Sequence, residues 1–413
     1  MLSALERMFR LAYIVTHPIQ YQAPLFRLLA ASGKLELKVF FFSDFSLHQH
    51  HEKAFGRSFK WDVNLTDGYE WEVLPRWGMG HSAALRPRWP VRGLKERLKA
   101  GHFDAVAVHG WGGHIGLLQA LSAVNALGIP ILLRGESTPD QTSTQTLRRR
   151  MRNSFCRKLF RYVAGFLCIG SLNRQFYRGF GVPECKLFLV PYAVDNLRFQ
   201  SLCGAAALRR ETFRHQLGLE PGRPVILFAA KFIPVKAPAD LLAAYQRVWL
   251  NTAEADRGMK PYLLFVGDGP LRGELETLAG TAKGTDVRFL GFRNQSEMPA
   301  FYDLCDLFVL PSHFEPWGLV INEAMNAGKP VIVSDCVGAA PDLVQTGTNG
   351  WIFEYGNVPA LADCLRQAIT GADLPLMGKR SLEIVNRWDY NADLAGLQAA
   401  LAAVCAGQKH AHG

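Results

Sequence analysis

The sequence predicts an α/β protein built on two doubly wound parallel sheets, and three observations carry that reading. Short β-branched and apolar runs alternate with longer helical patterns along the chain, as expected of strands joined by crossover helices. The runs form two series, 11–191 and 224–354, separated by a strand-free stretch from Asp195 to Pro224. With 413 residues and 49% hydrophobic content, the chain is large enough for two cores at roughly 150 residues per domain.

The first series reads LAYIV (11–15), LELKVFFF (35–42), DAVAVH (104–109), PILLR (130–134), GFLCIG (165–170) and KLFLVP (186–191). The second follows Pro221-Gly222: PVILFAA (224–230), YLLFVG (262–267), VRFLG (287–291), LFVLPS (307–312), PVIVSD (330–335) and GWIFE (350–354). A first domain at 1–200 and a second at 201–385 follow, with a C-terminal segment at 386–413 in which Trp388 to Val404 reads as an Ala/Leu-rich helix. Open α/β sheets bind ligands outside the carboxyl ends of their strands. Two such sheets facing one another are expected to leave a cleft lined by the loops after the strands.

Composition removes several classes. A charged fraction of 20%, with 38 Gly and 22 Pro, excludes a mainly disordered, low-complexity or collagen-like chain. Subtracting 36 Asp and Glu from 46 Lys and Arg leaves a net charge of +10, which favours anionic partners such as nucleotides, phosphate groups or an acidic membrane surface. Eight scattered cysteines without a C-x-x-C pattern indicate neither a disulfide framework nor a zinc site, and suit a reducing cytoplasm. The apolar run Leu11 to Val15 is too short for a signal-peptide core. The stretch Trp111 to Leu133, without formal charge, is broken by Gly128-Ile129-Pro130 into a helix and a strand, so it is not read as a membrane span. His48, His50, His51 and Glu52 lack the HExxH spacing because HEKAF ends in Phe55. They read as a solvated loop, and no metal site is expected.

The most informative segment is 307–335, which reads strand, loop, short helix and strand. Gly318, Leu319 and Val320 would supply free N–H groups at the helix N-terminus, where the dipole favours a phosphate. Glu315 precedes that junction and Glu323 follows within the helix. Carboxylates beside an anion site suit hydroxyl donors, as sugars and ribose present. The plainer alternative is a dipole partner for Glu315 and a solvated helix face for Glu323. Lys231 and Lys236, five residues apart in AAKFIPVKAP, close the first strand of the second series with two ammonium groups; spacing alone does not separate an anion site from a pair of solvated strand-end lysines. Gly267 and Gly269 lie in GDGPLRG, which has Arg272 where the dinucleotide fingerprint needs its third Gly; GWGGHIG (110–116) fails likewise at Ile115. These glycines read as tight turns that let a nucleotide approach the backbone.

Taken in order, these segments resemble the family-4 retaining glycosyltransferases of two-domain GT-B architecture. Their signature of two Glu separated by seven residues is here EPWGLVINE (315–323), followed by AMNAGKPVIVSD and NGWIFE (349–354). VPYAVDNLRF (190–199), VGDGP (266–270) and VRFLGF (287–292) resemble further family segments, and the likeness is dense from about Cys185 to Tyr390. The resemblance implies two Rossmann-like domains facing across a cleft, with the C-terminal helix packing back on the first. It implies transfer of a sugar from a nucleotide-diphosphate donor, UDP-sugar before GDP-sugar, to a hydroxyl of a glycan or lipid-linked acceptor. Configuration would be retained, with no metal and no further cofactor, in surface-polysaccharide or lipid-linked glycan assembly. Glu323 would accept from the ribose, Glu315 from the donor sugar, and Lys231 and Lys236 would hold the diphosphate. Gly318, Leu319, Val320, Gly267, Gly269 and Phe292 complete the implied donor site.

The chain departs from the family pattern at Lys231, where Arg is usual, at Ala237, where Gly is usual, and at Glu136, where many relatives have His. His109 follows the preceding strand and could compensate. The loop THPIQYQAP (16–24) lacks the family's glycines and offers His17 and Gln20 toward an acceptor, or as caps for the following helix. Two rivals accompany this reading: a nucleotide-sugar epimerase on the same scaffold, and a non-catalytic glycan- or nucleotide-binding partner, suggested by the losses at 136 and 231. Arg148, Arg149, Arg150, Arg152, Arg157, Lys158 and Arg161 crowd one predicted helix with Met151, Phe155, Leu159 and Phe160 interleaved. That pattern suits either peripheral attachment to an anionic membrane or a solvated face. Nucleic acid is not an expected partner.

Overall fold

The computed structural model describes residues 8–52, 57–75, 90–110, 115–139, 147–249, 260–280 and 286–406. Its strands are β1 (Phe9–Val15), β2 (Leu35–Phe41), β3 (His50–Glu52), β4 (Arg57–Phe59), β5 (Glu70–Val73), β6 (Ala105–His109), β7 (Ile131–Arg134), β8 (Gly165–Cys168), β9 (Leu187–Leu189), β10 (Val225–Ala229), β11 (Tyr262–Val266), β12 (Val287–Gly291), β13 (Leu307–Leu310), β14 (Val331–Ser334) and β15 (Gly350–Phe353). The predicted apolar runs all become strands. Two α/β units result.

The first unit holds residues 1–50, 63–192 and 390–413, and the second 51–62 and 193–389. A seven-stranded sheet in the first unit runs β5-β2-β1-β6-β7-β8-β9, and a six-stranded sheet in the second runs β12-β11-β10-β13-β14-β15. Neighbouring strands are parallel throughout both. Central strands such as Leu11–Val15, Ala105–Val108 and Val225–Phe228 are buried on both faces, which is why they read as continuous apolar runs without alternation. Strand order reverses between β1 and β6 and between β10 and β13, and the loops after those pairs are where such folds place ligands.

Helix ends obey local chemistry. Asp195 caps the helix Asn196–Ala207 by accepting from the Arg198 N–H at 3.0 Å, and Asn357 and Asp373 cap Val358–Gly371 and Leu374–Val385 in the same way. The strand-free stretch 195–224 carries the helices Asn196–Ala207 and Arg210–Gln216. In the first unit the helix Tyr390–Ala406 packs on β8 and β9. Gly396 meets β9 so closely that a Cβ there would sit 1.9 Å from the Leu189 carbonyl oxygen. Among the described residues no helix is long and apolar enough to cross a membrane.

Two small features differ from the sequence reading. His50–Glu52 is a strand paired with β4, not a loop, and no group of metal-binding side chains forms among the described residues. The edge strand β5, Glu-Trp-Glu-Val, escaped notice because charged residues blunt it, as edge strands require.

In the second unit the turn after β11 is pressed against the loop after β10. Gly267 has φ +141°, and a Cβ there would lie 2.0 Å from the Ala230 carbonyl oxygen; Gly269 has φ +155° and would meet the Phe232 backbone at 2.6 Å. Gly267→Ala should therefore cost about 3 kcal/mol or more. Gly273, in the helix Arg272–Ala279, has nothing within 4 Å, so Gly273→Ala should be neutral or stabilise by up to ~1 kcal/mol. Urea midpoints of the two variants check both signs.

Candidate functional site

The chemistry of the second unit gathers at the loops after β10, β11 and β13. Lys236 ends the turn Pro234–Lys236, and its Nζ donates to the Glu315 carboxylate, with side chains only 19% and 14% exposed. The sequence alternatives, solvated lysines and a dipole partner, do not describe this half-buried pair. Ala237 follows at φ +49°. An L-residue in that left-handed region costs roughly 1–2 kcal/mol, so the geometry that Gly serves in the family persists under strain. Lys231 lies with its Nζ 3.7 Å from Glu52 Oε1.

Glu315 is fixed through its main chain. Its N–H donates to the Cys336 carbonyl at 3.2 Å, and its own carbonyl accepts from the Gly338 N–H at 2.8 Å. Gly338 tolerates nothing larger, since a Cβ would fall 1.9 Å from the Pro316 oxygen. Gly318, at φ +98°, turns the chain into the helix Leu319–Asn326. Gly318, Leu319 and Val320 thus stand at a helix start, where N–H groups lack intrahelical acceptors.

Glu323 is not on a solvated face. It is 7% exposed and accepts from the Tyr302 hydroxyl at 2.6 Å. Burial raises its carboxyl to about 7, against the opposing pull of hydrogen bonds from Tyr302 and Gln295 and the charge of Arg198. Phe292 packs against Phe59 with ring centres 4.7 Å apart and the rings tilted by 37°, and the Arg57 guanidinium lies 5.2 Å from the Phe292 ring centre. Residues 51–62 are thus a strap on this unit, fastened further by Asn294 to the Lys60 carbonyl at 2.8 Å and by Ser296 to Asp62.

In the first unit a polar relay occupies the carboxyl ends of β6 and β7, where His109 and Arg134 are in register. With the Gln22 amide donating to His109 Nδ1 at 2.8 Å, the ring's Nε2–H faces the Tyr192 hydroxyl at 2.9 Å. Tyr192 in turn donates to Glu136, which also lies 3.5 Å from His109 Nε2 and from the Tyr21 hydroxyl. Burial alone would raise the Glu136 carboxyl, but hydrogen bonds from His109 and Tyr192 with the charge of Arg134 bring it down to about 2. Glu136 therefore stays ionised at neutral pH. Among the described residues it makes no salt bridge with Arg134, which is buried and donates to Asp393 at 2.6 Å.

His17 is bonded to the Thr16 hydroxyl at 2.9 Å and packs against Phe45 with the rings tilted by 41°. The loop contributes Gln22 to the relay, not Gln20. Sequence reasoning missed Gln22, Tyr192 and Tyr302; the first two sit in segments already singled out, THPIQYQAP and VPYAVD. Residues 111–114 of the glycine motif at 110–116 lie outside the described residues.

Comparison with known proteins agrees with this layout. The family described as Glycosyl transferases group 1 matches residues 209–391, and Glycosyltransferase Family 4 matches 34–197. The chain is 29% identical over 40% of its length to the alpha-D-kanosaminyltransferase of Streptomyces kanamyceticus, covering 41% of that protein. Against the D-inositol 3-phosphate glycosyltransferase of Streptomyces scabiei it is 27% identical over 67% of its length and 62% of the relative. The chain thus spans less than two thirds of these curated relatives. Among solved structures, Anabaena HepE in complex with UDP and glucose aligns with a TM-score of 0.68 at 18% identity, over 95% of this chain and 99% of the other. The alpha,alpha-trehalose 6-phosphate synthase of Burkholderia multivorans aligns at 0.71 with 16% identity, over 97% and 100%. Two parallel-sheet units, the paired glutamates with their lysine, and two adjoining family matches lead to one assignment: the chain belongs to the family-4 glycosyltransferases and has the GT-B fold.

Proposed function

We propose that the protein transfers a sugar from a nucleotide-diphosphate donor, UDP-sugar first, to a hydroxyl acceptor with retention of configuration and without a metal. The observation that carries the reading is the Lys236–Glu315 pair with Lys231 beside a helix start, all after the strands that flank the second sheet's reversal point. As the glycosidic bond breaks, the leaving diphosphate gains negative charge. Lys236 keeps two N–H donors beyond the one given to Glu315, Lys231 adds a third-party cation, and the first-turn amides of 318–320 suit the phosphates. Glu315 accepts from a donor-sugar hydroxyl and Glu323 from the ribose. HepE, whose structure contains UDP and glucose, supports UDP as the first nucleotide to test. Glu136, ionised and held by Tyr192 and His109, is suited to accept from a sugar hydroxyl or to favour positive charge developing at the anomeric carbon. A glycan or lipid-linked acceptor, in surface-polysaccharide or lipid-linked glycan assembly, fits this chemistry.

A thermal-shift series with UDP, GDP and ADP tests the donor side, since ligand at a hundred times its Kd stabilises by ~2.7 kcal/mol. Lys231→Ala and Lys236→Ala should each lower transfer by ~10²-fold or more, because each ~1.4 kcal/mol of lost transition-state stabilisation costs tenfold. Single-turnover rates with saturating donor decide it, and wild-type rates in both variants would exclude the assignment.

Glu323 gives a pH test with a defined sign. Its folded carboxyl titrates near 7 and an unfolded one near 4.5, so the folded chain binds the extra proton between those values and stability is lost as pH rises through 7. The loss reaches on the order of 3 kcal/mol at pH 8. Glu323→Gln should thus be more stable than wild type at pH 8 and similar at pH 4, while binding free UDP less tightly. Denaturation at the two pH values and UDP titration read the two effects separately.

Glu136→Gln keeps the shape of the relay and removes its charge. Turnover should fall at least ~10-fold with little change in UDP affinity; wild-type turnover would show that the charge takes no part.

A further inference from the structure

The helix Leu147–Phe160 precedes β8 and belongs to the first unit. Between Asp140 and Glu184 the sequence contains no carboxylate, and nine Arg or Lys residues fall in that interval. Solvated charged faces usually mix both signs, so that helix neighbours pair. Here, among the described residues, no carboxylate pairs with Arg157, Lys158 or Arg161, and Glu184 is already engaged by Arg174 and Arg178. The side chains of Arg148 and Arg149 lie outside the described residues.

The same surface is also apolar where a soluble helix would be polar. Met151 is 67% exposed and Phe155 47%, one turn apart, and Tyr162 just beyond the helix is 62% exposed. The opposite face is seated on the core through Cys156 and Phe160. At 100° per residue, Ser154 and Lys158 fall on the exposed side with Met151 and Phe155, and the exposed Arg150 and Arg152 lie to either side of this narrow stripe.

Beside the C-terminal end of this helix lies a cavity of about 420 Å³. Its rim carries Arg157, Arg161 and Lys186, and its walls are Phe160, Phe180 and Val182 among others. Lys186 is positioned by donating to the Val163 carbonyl at 3.0 Å. Most of these residues precede β8 and β9. The cavity therefore sits at the amino-terminal edge of the sheet, whereas the Glu136 relay sits at the carboxyl edge. It does not belong to the site described above.

We propose that this face docks on an anionic lipid bilayer, with the cavity taking the phosphate of one lipid headgroup between Arg157, Arg161 and Lys186. Three cations and no acid line the cavity, which matches a phosphodiester, and the apolar lining residues match the glycerol and upper acyl carbons beside it. Met151, Phe155 and Tyr162 enter the interface beside it, as in amphipathic helices that lie on membranes. A nucleic acid would satisfy the cations but leaves the exposed apolar stripe uncovered, which favours the lipid. This inference is independent of the donor site and of the transfer reaction.

The test is sedimentation with vesicles of phosphatidylcholine alone or containing phosphatidylglycerol, at low ionic strength. Wild type should bind the anionic vesicles and not the neutral ones. Arg157→Gln/Arg161→Gln should weaken binding by on the order of 30-fold, from about fivefold per cation. Met151→Ser/Phe155→Ser should weaken it further in a salt-insensitive way. These residues are exposed, so unchanged melting and unchanged UDP response will verify folding independently of the result. The proposal is overturned if wild type ignores the anionic vesicles, if both variants bind as wild type does, or if millimolar inorganic phosphate or a single-stranded RNA competes the vesicles away.

Discussion

The first unit is organised around one buried ion pair. Arg134, at the carboxyl end of β7, is 2% exposed, and its guanidinium donates to the Val190 and Pro191 carbonyls and to Asp393. It also lies 5.0 Å from the ring centre of Tyr192. Burying either charge alone costs several kcal/mol, so the helix that brings Asp393 back from the far end of the chain removes that cost from the first unit. Tyr192 is held between this pair and the relay, and its hydroxyl sets the distance between His109 and Glu136. The relay thus rests on a structural contact made between residues 259 positions apart in the chain.

The second unit solves the same problem with backbone. Its loops approach so closely at Gly267, Gly269 and Gly338 that side chains are excluded, and the lysines and Glu315 are placed by main-chain hydrogen bonds. Lys231 departs from the family's Arg, and the two are not equivalent. An ammonium is a compact point charge, whereas a guanidinium offers a planar fork. A single carboxylate oxygen of Glu52 at 3.7 Å suits the former.

The strands were legible because buried parallel strands read as unbroken apolar runs, and the Glu315–Glu323 segment because a strand, a glycine turn and a short helix follow one another without interruption. What escaped was tertiary. Arg134 and Glu136 are two residues apart, yet Arg134 pairs with Asp393, 259 positions along the chain, which no periodicity reveals. Gln20 and Gln22 are indistinguishable by composition; only the helix start at Ala23 turns Gln22 toward His109. Glu323 carries a charge that would normally mark a wet helix face, and only its hydrogen bond to Tyr302, on a different helix, explains its burial. The hairpin of β3 and β4 is too short and too polar to register.

That hairpin alters what counts as a separable half of the gene. Residues 51–62 are encoded within the first domain but complete the second, supplying Glu52 to Lys231, Phe59 to Phe292 and Asp62 to Ser296. A chimera that joins this chain to a relative at residue 192 would exchange the strap along with the N-terminal half. Lys231 would then face a foreign peptide, and a change in the second unit's behaviour would trace to a segment that a domain-swapping scheme counts as part of the first.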